Sequence, residues 1–252
     1  PDNFGRLGER PTHPELLDWL AREFIRSGWS IKHLSRLLVT SATYRQSASS
    51  HADDDQKDPD NRLWGRFSRR RLEAEEIRDG MLAVSGLLER TMGGSMLTIP
   101  NRAYVTGTGN KNYEDYQSRR RSLYLPVVRS AVYDVLHTLD FPDPSVPSGQ
   151  RASTTLPTQG LLMLNSPVAD AAAEAWARSL LAAHSSEEAR VRHAMRQVHG
   201  RTPTPAEQER IRRFLDQAEQ AGSVAQASAA RPRAWRGLCR VLLAGNEFIF
   251  VD

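Results

Sequence analysis

The side chains best placed to do chemistry lie between Leu139 and Asn165, in the run LDFPDPSVPSGQRASTTLPTQGLLMLN. Asp140 and Asp143 flank a Phe-Pro turn. With Glu73, Glu76 or Asp79 they offer the paired carboxylates of acid–base hydrolysis, or the oxygen ligands of a hard cation. The competing role is structural: Asp140 and Asp143 accept backbone hydrogen bonds in the turn, while Glu73, Glu76 and Asp79 form helix ion pairs with Arg70 and Arg78. Further along, Arg151, Thr154, Thr155, Gln159 and Asn165 can line an oxyanion or sugar site. Alternatively Thr155 or Thr158 caps the helix carrying Leu161, Leu162 and Leu164, and Arg151 pairs with Asp140 or Asp143 to pin the loop. Pinning is the favoured role, and no residue is assigned to catalysis.

Two arginine clusters are the other chemical feature. The guanidinium forks of Arg69-Arg70-Arg71 and Arg119-Arg120-Arg121 suit phosphate, sulfate or carboxylate, with Arg120 and Arg121 as candidate ligands. For the first cluster the alternative is salt bridging to Glu73, Glu75 and Glu76. A net charge of +4, with acids interleaved among the 34 basic residues and no aromatic-basic stacking platform, argues against nucleic acid.

Several patterns fall short of a site. Thr106-Gly107-Thr108-Gly109-Asn110 lacks both the third glycine of a dinucleotide fingerprint and the Gly-Lys-Ser/Thr of a P-loop, and reads as a turn. Asp53, Asp54 and Asp55 lack the ligand alternation of an EF-hand and read as a solvated loop. His13, His33, His137 and His193 form no i, i+4 ligand pair, so no metal site is expected. The single Cys239 permits no internal disulfide, and the absence of Cys-x-x-Cys-His excludes c-type haem attachment in this segment. No hydroxyl or thiol sits in a nucleophile-elbow context. No stretch is long and apolar enough to span a bilayer, and the first residues carry no secretory signal pattern.

Helices must position these groups. Thr12 and Glu15 with Pro14 predict a capped helix over about 13–27 bearing Leu16, Leu17, Leu20 and Phe24, ended by Gly28. Ser30 caps a second helix in which Ile31, Leu34, Leu37 and Leu38 are expected to face inward, so the two form a hairpin. Ile77, Met81, Val84 and Leu88 predict a helix over about 71–89 closed by Gly93-Gly94, and Ser122–Val128 reads as a short extended segment before a helix through Val132, Val135 and Leu136. Downstream, helices are expected over 167–184, from Glu188 to Gly200, from Thr204-Pro205-Ala206-Glu207 onward, and around Trp235–Leu243, where Cys239 joins the apolar face. The fold class is mainly α: an irregular multi-helix bundle with long ordered loops and at most a short β element. One domain over 1–252 is expected, with a subdivision at 1–138 and 139–252, as the C-terminal part of a longer protein.

Five motifs, FGRLGERPTHPELLDWLA, WSIKHLSRLLVTSATYRQS, RRRLEAEEIRDGMLAVSG with Gly93-Gly94, RRSLYLPVVR, and LDFPDP followed by RASTTLPTQGLLMLNSP, occur in this order across essentially the whole chain. Together they closely resemble the C-terminal domain of planctomycete-type cytochrome c domain-containing proteins, known as domain of unknown function 1553. The resemblance implies an exported bacterial protein, periplasmic or envelope-associated, in which this domain follows others, often a cytochrome c domain. Haem c is then expected upstream and no cofactor here. The implied partners are the upstream domains of the same polypeptide and redox or polysaccharide-processing proteins. No reaction comes with the resemblance. Two roles stay open: a non-catalytic helical module that docks neighbouring domains or partners, or an enzyme or binding module for acidic or sulfated polysaccharide built on Asp140–Asn165.

Overall fold

A computed structural model describes residues 5–49, 56–94, 96, 116–129, 132–221 and 227–251. It is mainly helical, with one two-stranded sheet among the described residues. Two compact units emerge: residues 1–70 with 250–252, and residues 71–249. The chain leaves the first unit through β1 (Arg70–Arg71) and returns through β2 (Phe250–Val251), and these two strands pair.

In the first unit, α1 (Pro14–Arg26) and α2 (Ile31–Thr40) form the expected hairpin. Proline at the first helical position starts α1 directly after His13, and no Thr12–Glu15 capping box forms; Thr12 Oγ1 instead meets His13 Nδ1 at 2.9 Å. The turn needs two successive left-handed residues, Gly28 at φ 70° and Trp29 at φ 62°. Glycine adopts this conformation freely; tryptophan does so rarely. Ser30 then caps α2 by accepting from the His33 N–H at 3.2 Å. Beyond α2, the 58–68 segment is tied down by Asn61, whose Nδ2 donates to the Arg66 carbonyl at 2.8 Å and Ser68 Oγ at 2.9 Å. Asp58 accepts the Leu63 N–H and, beside it, the Arg62 N–H, which hold its carboxyl below the usual range.

The second unit is built on α3 (Ala74–Val84), α4 (Asp134–Thr138), α5 (Pro157–Asn165), α6 (Pro167–Ala183), α7 (Glu187–His199), α8 (Pro205–Gln220), α9 (Ala227–Leu243) and α10 (Asn246–Ile249). Helices α6 and α9 pack together at its centre, with α8 on α9 and α3 on α6. The alanines of α6 explain the closeness: Ala172, Ala173 and Ala177 are buried beside Trp176 and Leu180, and α9 contributes Trp235, Leu238, Cys239 and Leu243. Burying Trp176 satisfies its indole as well as its rings, because Nε1 donates to Gln197 Oε1 at 2.8 Å. Cys239 is inert packing; burial pushes its thiol far above the ordinary value. The Thr204–Glu207 capping box forms as its residues dictate, with Thr204 N–H donating to Glu207 Oε2 at 2.7 Å and Glu207 N–H to Thr204 Oγ1 at 3.3 Å.

Two local expectations are corrected. Helix α3 covers 74–84 rather than 71–89, because Gly86 turns left-handed at φ 74° and the Leu87 and Leu88 N–H groups both return to the Leu82 carbonyl. Residues 122–124 form a 3₁₀ turn instead of an extended segment, since the Ser122 backbone is captured by Asp79. The acidic residues Asp53–Asp55 and the turn Thr106–Asn110 lie outside the described residues.

Candidate functional site

Asp140 is a hub. It follows α4 in a left-handed conformation, φ 63°, which turns its carboxylate back into the 151–159 segment. Arg71 Nη2 donates to Oδ2 at 2.7 Å, Thr154 N–H donates to the same oxygen at 2.7 Å, Thr154 Oγ1 lies 2.9 Å from both oxygens, and Gln159 Nε2 donates to Oδ2 at 3.2 Å. Arg71 completes the clamp by donating to the carbonyls of Thr154 at 2.8 Å and Leu139 at 3.1 Å. Its side chain is only 5% exposed. Although partial burial disfavours charge on Asp140, the donors outweigh it and hold the carboxyl below its ordinary range. Gln159 also turns its Oε1 to the N–H of the N-cap Leu156 at 3.3 Å, so one side chain in the first turn both caps α5 and ties it to the hub.

Sequence reasoning brought Asp140, Thr154 and Gln159 to one place but gave the clamp the wrong arginine. Arg151 pairs with neither Asp140 nor Asp143. It reaches Glu75 at 2.7 Å and Glu73 at 3.1 Å at the start of α3, and its guanidinium carbon sits 5.5 Å from the Phe141 ring centre. The loop is therefore pinned twice, by Arg71 on Asp140 and by Arg151 on α3. Asp143 stands apart, accepting from the Ser145 N–H at 2.8 Å in its own turn. Glu76 reaches back to the Glu73 N–H at 2.8 Å as a helix cap. Neither Thr155 nor Thr158 caps α5, whose N-cap is Leu156.

The second arginine cluster is organised by a residue the sequence marked only as a helix ion-pair partner. Arg78 is 1% exposed. Its Nη1 donates to the Arg120 carbonyl at 3.0 Å, Ser122 Oγ at 3.2 Å and Asp79 Oδ1 at 3.2 Å, while Nη2 is bonded to the Ser118 carbonyl. Asp79 in turn accepts from Ser122 N–H at 2.8 Å and Ser122 Oγ at 2.7 Å. Arg120 is spent on the carbonyls of Thr91 and Gly93 and lies 4.3 Å from the Tyr124 ring centre, with Arg121 at 5.8 Å from that ring. This cluster holds the 116–124 segment against α3.

Hollows lie beside these networks in the second unit and, separately, within the first unit. A polar cleft of about 700 Å³ is lined by His137, Asp140, Phe141, Asp143, Ser148 and Gln150. Another of about 590 Å³ holds Asn165 beside Asp134 and the stacked rings of Tyr116 and Tyr133, which lie 4.5 Å apart. In the first unit, an apolar groove of about 580 Å³ runs between α1, α2 and the 61–68 segment, with Leu16, Trp19, Leu38, Tyr44, Trp64 and Phe67 along it. Neither α1 nor α2 has a single buried residue. Among the described residues, no three His, Cys, Asp or Glu side chains gather as metal ligands, and no helix is long and apolar enough to cross a membrane.

Compared with known proteins, the chain matches one family model, "PSD1: Protein of unknown function (DUF1553)", over residues 1–215. No curated protein and no solved structure matches it.

Proposed function

Because the chain belongs to the PSD1 family of proteins of unknown function (DUF1553), we propose its role from its surfaces: a non-catalytic helical module that docks a neighbouring domain through the α1–α2 hairpin. The observation that carries this reading is the apolar groove. Both helices are amphipathic, yet Leu16, Leu17, Trp19, Leu38 and Trp64 stay between 37% and 54% exposed. A patch of this kind, rich in aromatic residues, has the composition of an interface core. The partner we assign is an upstream domain of the same polypeptide, in an exported, envelope-associated and cytochrome c-linked protein, as the family resemblance implies.

The alternative, binding or cleavage of acidic or sulfated polysaccharide at the Asp140 loop, is favoured only by the polar cleft beside Asp140. Its charge runs the other way: the cleft presents Asp140 and Asp143, while Arg71 and Arg151 are committed to carboxylates. An anionic chain would meet repulsion there.

Hydrogen exchange of the whole gene product against this chain alone tests docking. Amides of α1 and α2 should exchange more slowly in the whole product, and Leu38→Glu should abolish the difference. Equal exchange in both would refute the reading.

A further inference from the structure

The turn of the α1–α2 hairpin is a second surface, at the opposite end of the helices from the groove. Ile25, Trp29 and Ile31 are 56%, 65% and 72% exposed there, so Ile31, at the first position of α2, does not face inward as its spacing suggested. Trp29 is held out by a specific backbone: its N–H donates to the Phe24 carbonyl at 2.9 Å, Gly28 N–H to the Ile25 carbonyl at 3.0 Å, and the Phe24 ring meets the indole edge-on at 5.3 Å. A left-handed tryptophan is costly, and this one, at the tip of a hairpin, is left mostly exposed instead of buried.

The exposed charged side chains from Arg22 to Arg36 are all basic. Arg26, Lys32 and Arg36 are exposed, and from Phe24 to Ala52 the sequence contains no acidic residue. The nearest acid, Glu23, is 18% exposed and already engaged by Arg26 at 3.3 Å and His33 at 2.9 Å. We propose that this tip is a peripheral membrane contact, with Trp29, Ile25 and Ile31 entering the headgroup boundary of an anionic lipid surface and Arg26, Lys32 and Arg36 meeting the lipid phosphates. An amphipathic tryptophan favours that boundary, and basic side chains beside it are attracted by anionic headgroups. The convex tip fits a surface that yields around it, whereas the concave groove fits a protein segment.

Co-sedimentation of the chain with vesicles of phosphatidylcholine containing phosphatidylglycerol, against phosphatidylcholine alone, tests the proposal. Binding should be confined to the anionic vesicles and weaken with salt. Lys32→Ala and Arg36→Ala should each reduce it by about fivefold. Trp29→Gly, which suits the left-handed backbone, and Ile31→Ser at the most exposed position should each reduce it further, while Leu38→Glu in the groove should leave it unchanged. No binding to anionic vesicles, or binding indifferent to Trp29→Gly and Ile31→Ser in variants with unchanged circular dichroism, would overturn the proposal. So would a tip that instead binds a protein and no vesicle.

Discussion

Replacing Asp140 with asparagine separates a structural clamp from a catalytic carboxylate. Asparagine tolerates the left-handed backbone at φ 63° and keeps nearly the same shape. Its carbonyl can take the place of Oδ2 before Arg71, Thr154 N–H and Gln159, and its amide can donate to Thr154 Oγ1, so no donor is orphaned. What disappears is charge. Two short charge-assisted bonds, from Arg71 and Thr154 N–H at 2.7 Å each, become neutral-acceptor bonds. The loss should be about 2 kcal/mol, the difference expected for hydrogen bonds to a charged group. At roughly 2 to 4 °C per kcal/mol for a unit of this size, melting should fall by about 4 to 8 °C. Asp140→Ala also strips the acceptors from a nearly buried arginine and strains the backbone, so it should cost about 3 to 5 kcal/mol. The pH dependence supplies an internal check. Because the folded carboxyl titrates below its unfolded value, its stabilisation is complete above about pH 4 and is lost as pH falls through the folded value. The gap between wild type and Asp140→Asn should therefore close in acid. Coincident melting curves at neutral pH, or a gap unchanged in acid, would refute the clamp.

Two further outcomes follow from buried charges elsewhere. Arg78→Met should destabilise the second unit by about 3 to 5 kcal/mol, because it leaves Asp79 and the carbonyls of Ser118 and Arg120 without their common donor; chemical denaturation gives the value, and a loss below 1 kcal/mol would argue that water replaces the guanidinium. His199 is buried beside Glu247, Arg201, Glu207 and the Leu242 carbonyl, and burial pushes its pKa down despite the two carboxylates. A depressed histidine leaves stability that is complete above about pH 6.5, its unfolded value, and is lost as pH falls below that and through the lower folded value. Wild type should thus lose stability as pH falls below about 6.5, and His199→Gln should flatten that slope; a parallel slope in the variant would assign the effect to another group.

Local chemistry was legible at several helix ends, though not at Thr12–Glu15 before α1 or at Thr155 and Thr158 before α5. Ser30 and the Thr204–Glu207 box cap their helices, Gly200 ends α7 at φ 70°, and the apolar spacing of α1, α2 and α6 places those elements within a residue or two. Hydrophobic spacing alone could not end α3, since Leu88 keeps the helical period while the left-handed Gly86 breaks the backbone. The hub was half legible: a crowd of acids, hydroxyls and an amide marked the loop. Its arginine lies 69 positions upstream of Asp140, and Arg151 finds Glu75 76 positions upstream. Nothing in spacing distinguishes which guanidinium serves which carboxylate. Arg78 was legible only as an ion-pair partner and not as a buried hub, because a buried arginine and a solvated one look alike until the helix face that bears them is known.

The β1–β2 clasp gives the second unit the topology of an insert. Leu72 N–H donates to the Ile249 carbonyl at 2.7 Å, so the two ends of the 71–249 segment meet. A piece with touching ends can lengthen, shrink or be exchanged without rerouting the chain that hosts it, and joining those ends would close it into a ring with little distortion. The first unit, in contrast, is discontinuous: its closing strand β2 is made only after the whole insert has been synthesised, so during translation that unit must wait for its last residues.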